Sequence, residues 1–263
     1  MSWIGRLLGP KPASNLGDDP MRLADAAAAR GEWETALAIW GPLAHAGDAR
    51  AQNNVGACFA GGLGVGQDHA LAVKWLTLAA EAGDAAGRRN LAHAFFRGAG
   101  VPEDPGRAAA LYRQAAEAGD AEAQDMLSWM LLEGEVVAPD PAEARRLAEA
   151  AAAQGNAPAM TRVGLIHHNA LGVPRDPAAA AGWWAKAAAL GEPDAQAMLG
   201  AALHMGQGVA RDPYAGFVWL LRAHAGGSEL AYPFLRAAED ALPPEAAGRA
   251  RREADAALPE PAP

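Results

Sequence analysis

Three histidines stand where they could do chemistry. His167 and His168 are adjacent, and His204 lies thirty-six residues beyond His168. Neutral imidazoles ligate zinc, but a zinc site needs three or four converging ligands. No Cys, Asp or Glu sits at a familiar ligand spacing near them. Helices that stack in register lie ~8–10 Å apart, which separates His168 from His204. No metal site is therefore expected, and His167 reads as a core histidine with a satisfied hydrogen bond, because Phe59, Phe95, Leu131 and Leu203 occupy its position in other repeats. The nucleophile candidates fare no better. Ser128 and Cys58 fall at positions otherwise held by small or apolar residues, Ser228 falls at a helix-cap position, and none has an evident base partner. The run Gly61 to Gly66 is glycine-rich but lacks the lysine and the preceding strand of a phosphate loop. No catalytic residue, cofactor or metal is expected.

Those positions acquire meaning only against a period. Gly47, Gly83, Gly119, Gly155, Gly191 and Gly227 recur every thirty-six residues, as do Asp68, Asp104, Asp140, Asp176 and Asp212. Val65, Val101, Val137, Val173 and Val209 form a third series, and Ala79, Ala115, Ala151, Ala187 and Ala223 a fourth. A fixed period of this length is the signature of stacked repeats. The pattern overrides the two-domain expectation for 263 residues, because an array gains stability repeat by repeat.

One repeat builds a helical hairpin. In residues 48–83, Asp48 is an N-cap, and Ala51, Val55 and Phe59 mark the buried face of a first helix, A. A turn, Gly62-Leu63-Gly64-Val65, follows, in which glycine supplies positive φ and the valine tucks into the core. Asp68 then caps a second helix, B, and four of the five repeats place proline immediately after that aspartate, where no backbone N–H is needed. Small residues at the Gly56 position (Ala92, Ser128, Gly164, Gly200) let the helices approach closely, and Trp75, Trp183 and Trp219 are expected to fill the larger gaps.

The pattern of Ala195, Leu199, Gly200, Gly206, Gly208, Val209, Asp212, Pro213, Trp219, Ala223 and Gly227 resembles the Sel-one-like repeat, a subgroup of the tetratricopeptide-like families. The match runs over residues 48–227 as five repeats: 48–83, 84–119, 120–155, 156–191 and 192–227. Repeat three departs with Val136 for its second glycine, and repeat four with His167 for an aromatic and Ala170 for its first glycine. Residues 20–47 look like a degenerate tetratricopeptide-type hairpin, residues 228–263 like capping helices and a tail, and residues 1–19 like a linker. The resemblance implies an all-α, right-handed α-solenoid of antiparallel hairpins serving as a non-catalytic adaptor or scaffold. Some cysteine-rich relatives are linked to β-lactam binding or hydrolysis, but this chain has one cysteine and lacks their disulfide pattern.

The repeats also control for function. A residue type shared by most repeats serves the fold, whereas a distinctive one on an outward face is a candidate for binding. Opposite the buried stripe of helix A lie the positions of Asn53, Ala57 and Ala60. Through the middle repeats they carry Phe96, Trp129, Leu132 and Leu165, rimmed by Arg89, His93 and His168. In related solenoids this face lines the concave groove, so a protein or peptide partner anchored on Trp129 is expected there.

Bulk composition narrows the partner. A net charge of −9 argues against nucleic acid, and no apolar run approaches the ~20 residues of a membrane span. A single cysteine requires no oxidising compartment, so a cytoplasmic monomer is expected. Trp3, Ile4, Leu7 and Leu8 form a short apolar stripe, read as a docking helix or, alternatively, a weak peripheral membrane anchor that would make the chain a membrane-associated regulatory subunit.

Overall fold

The computed structural model describes residues 19–256 and residue 258. Trp3, Ile4, Leu7 and Leu8 lie outside the described residues. Every regular element described is helical. The chain forms two compact units, one of residues 19–130 and 135–137, the other of residues 131–134 and 138 onward.

The first unit opens with α1 (Pro20–Ala29) and α2 (Trp33–His45), which pack on each other. Next come α3 (Ala49–Gly61), α4 (His69–Glu81), α5 (Ala85–Arg97) and α6 (Pro105–Glu117), each packed on its predecessor. Helix α7 (Ala121–Glu133) contributes its residues to Met130. The second unit contains α8 (Pro141–Ala153), α9 (Ala157–His168), α10 (Pro177–Ala189), α11 (Pro193–Met205) and α12 (Pro213–Ala225). It ends in a 3-10 turn, Glu229–Ala231, with α13 (Tyr232–Asp240) and α14 (Pro244–Ala254), both packed on α12. The A helices are α3, α5, α7, α9 and α11; the B helices are α4, α6, α8, α10 and α12.

The caps explain where these helices start. The carboxylates of Asp68, Asp104, Asp140, Asp176 and Asp212 accept the backbone N–H three residues on, at 2.9–3.0 Å. Asp48, Asp84, Asp120 and Asn156 do the same for A helices. Each such cap contributes about 1 kcal/mol. Ser228 is the exception. Expected as a cap, it makes no capping bond and instead donates to Asp194 Oδ1 at 2.6 Å. A 3-10 turn rather than an A helix follows it, so the N–H geometry that a cap serves is absent.

Turns after the A helices need left-handed backbone. Gly62, Gly98, Gly134 and Gly206 have φ between 64° and 72° at equivalent positions. Ala170 holds φ 58° there, alone among the described non-glycine residues. An L-residue in that region costs about 1–2 kcal/mol. Ala170→Gly relieves this but makes the unfolded chain freer by about 0.4–1 kcal/mol. The variant is therefore expected to be more stable by about 0.5–1 kcal/mol, read as a higher urea midpoint with unchanged slope.

Between helices of one hairpin, volume is matched across the contact. A Cβ on Gly56 would lie 2.8 Å from Leu76 Cγ, and one on Gly200 2.8 Å from Leu220 Cγ. Gly164 faces the indole of Trp184 more closely still. In four of the five repeats the filler is thus the residue after the expected tryptophan position, whereas in repeat three Leu147 at that position is itself buried, followed by Ala148. Leu76, Tyr112, Trp184 and Leu220 are buried, while Trp75, Trp183 and Trp219 are half-buried flankers. Both positions border the B-helix stripe, and only the close approach at the small A-helix residue selects between them. Burial pushes the Tyr112 hydroxyl up to about 12 and the Cys58 thiol up to about 11.

Candidate binding face

In the first unit the outward face of the A helices is built from α3, α5 and α7. Phe96 and Trp129 meet edge to face, their ring centroids 5.8 Å apart and their planes at 87°. Both are half-buried. His93 is exposed, one turn before Phe96 on the same side of α5. Partial burial, reinforced by the Arg97 charge, holds the His93 imidazole below its usual value.

Arg89, expected at the rim of this face, is committed elsewhere. One of its terminal nitrogens lies 3.0 Å from Asp120 and 3.1 Å from Glu122. Asp120 caps α7 through its other oxygen, so Arg89 ties the second repeat to the cap of the third. Thr161 repeats the device in the second unit by donating to Glu192 at 2.7 Å. Arg97, also on α5, is exposed and forms no ion pair among the described residues. Only the pairing of Arg89 in space distinguishes the two arginines.

A cleft of about 400 Å³ opens between α3, α4 and α5. It exists because Ala57 and Ala60 stand where the next repeat carries His93 and Phe96. Leu132, Leu165 and His168, the remaining expected contacts, belong to the second unit and are half-buried. His168 packs against Trp184 with ring centroids 5.4 Å apart. A cleft of about 460 Å³ begins at these two rings and extends over Ala197, Ala201 and Met205 to Phe234. His167, read as a core histidine, is half-buried instead, because its helix α9 ends one residue later and leaves its last turn at the surface. No three His, Cys, Asp or Glu side chains converge as a metal set among the described residues. No described helix is long and apolar enough to cross a membrane.

Tandem capped hairpins with thirty-six-residue spacing define a helical repeat protein. The Sel1 repeat model matches at residues 49–84, 85–120, 121–156, 157–192 and 193–228, and the chain belongs to that family. Its members typically serve as scaffolds for protein–protein interaction. A Sel1 repeat protein from Oxalobacter formigenes has a similar structure, with a TM-score of 0.78 and 24% identity over 93% of this chain and 100% of that one. A putative Sel1 repeat protein from Klebsiella pneumoniae has a TM-score of 0.52 and 23% identity over 76% of this chain and 97% of that one. These likenesses carry the fold. No curated protein matches the chain.

Proposed function

We propose that this protein is a non-catalytic adaptor that holds a segment of a partner protein on the outward A-helix face of its first unit, with Phe96 and Trp129 as anchors. The observation that supports this reading is the half-buried aromatic pair, 5.8 Å between centroids, at positions that the first repeat fills with Ala57 and Ala60. Tryptophan is among the residue types enriched at the energetic hot spots of protein interfaces. A cytoplasmic site of action agrees with a lone, buried cysteine that has no disulfide partner.

Trp129→Ala tests it. Partner capture from native lysate, quantified against wild type, is expected to fall about thirtyfold, the effect of losing an anchor of about 2 kcal/mol. The stability loss should stay under about 2 kcal/mol, below the ~3–5 kcal/mol of a core tryptophan. Undiminished capture, or destabilisation of core size, would remove Trp129 from the binding role.

A further inference from the structure

We propose that the cleft between α3, α4 and α5 receives an acidic peptide segment, an Asp or Glu flanked by apolar residues, with Arg97 meeting the carboxylate. This rests on the adaptor reading and names the chemistry of the segment held. The accessible wall is mostly apolar, formed by Ala57 and Ala60 of α3 and Val73 of α4, with the buried Ala72 and Leu76 behind them and Asn90 of α5 as a neutral polar member. Its volume of about 400 Å³ suits a few side chains, and it lies open beside the outward face rather than sealed within the core.

The charges around it have one sign. The chain carries 31 acidic against 22 basic residues, yet no Asp or Glu lines this cleft. Its titratable members are His69 from α4, and His93 and Arg97 from α5, while α3 contributes none. Arg97 is exposed and has no ion-pair partner among the described residues, in contrast to Arg89, which is held by two carboxylates. An unpaired guanidinium over an apolar floor is complementary to a ligand with a carboxylate beside an aliphatic side chain, since guanidinium–carboxylate hydrogen bonds are the strong, charge-assisted kind. A basic segment would meet like charge at Arg97, and a neutral polar one would forgo the charge-assisted pair.

The test uses the full chain, isotope-labelled, titrated with acetyl-Ala-Leu-Glu-Leu-Ala-amide and with its Gln counterpart, peptides that differ by one charge. The Glu peptide is expected to bind at least fivefold more tightly and to shift the methyl resonances of Ala57, Ala60 and Val73. Arg97→Gln, at an exposed position, should abolish the preference, whereas Trp129→Ala should preserve it. Equal binding of the two peptides would overturn the proposal, as would a preference that survives Arg97→Gln or the absence of shifts at the cleft methyls. Isovalerate binding as tightly as the Glu peptide would make the occupant a small acid instead and also overturn it. Partner capture that is lost in Trp129→Ala but intact in Arg97→Gln would leave the adaptor reading standing and end this one.

Discussion

Gly208→Ala is expected to cost about 2–5 kcal/mol, far more than a methyl group added in a surface turn normally would. Two effects add. Gly208 has φ 74°, so alanine incurs the left-handed penalty of about 1–2 kcal/mol. The new Cβ would also run into the backbone carbonyl of Pro177, the first residue of α10 in the preceding repeat. Backbone at a capped helix start cannot swing aside, so repeats four and five must separate locally, an overpacking cost of about 1–3 kcal/mol. Gly206→Ala is the control. It has the same left-handed backbone, φ 72°, but its Cβ would meet only the Arg211 residue, 3.1 Å away at Cβ. Urea titration of both variants should place Gly208→Ala clearly below Gly206→Ala. Equal losses would show that the close approach between repeats contributes nothing.

Trp184→Ala is expected to cost about 3–5 kcal/mol, the loss typical of truncating a buried tryptophan. Trp184 is 3% exposed, lies over Gly164 and donates its indole N–H to the Thr161 carbonyl at 3.3 Å. Glycine at 164 leaves a hollow that no residue but a large one fills, and the existing cleft beside His168 would widen into it. Trp183, its neighbour, is half-buried with the Lys186 ammonium 4.2 Å over its ring. Truncating Trp183 should cost under about 1.5 kcal/mol, since a cation–π contact at an exposed site is worth about 0.5–1 kcal/mol and the burial is partial. Thermal or urea denaturation of the two variants separates them. A larger loss at position 183 would return the filling role to the periodic tryptophan.

The two tryptophans mark where reading the sequence stops. Periodicity places both on the side of α10 that faces its hairpin partner, but consecutive residues differ by 100° around a helix and either could lead. The choice falls to the small residue across the contact, Gly164, whose distance from α10 depends on how two helices pack. Arg89 and Arg97 repeat the lesson. Both are plausible rim cations by position, and only the approach of Asp120 and Glu122 from the next repeat neutralises one of them. The cleft at Ala57 and Ala60 was likewise visible as two small residues, but not as a hollow between three helices.

What the sequence determined by itself is the part governed by neighbours within a few residues. The Asp-capped helix starts, the prolines after them, the left-handed glycines and the hairpin period all follow from hydrogen bonds that span three or four positions and from backbone sterics. Tertiary structure alone decided which side chain fills each gap, which charge stays unpaired and where the A-helix face is hollow. Those outcomes depend on ångström-scale distances between elements thirty or more residues apart, which no local interaction specifies.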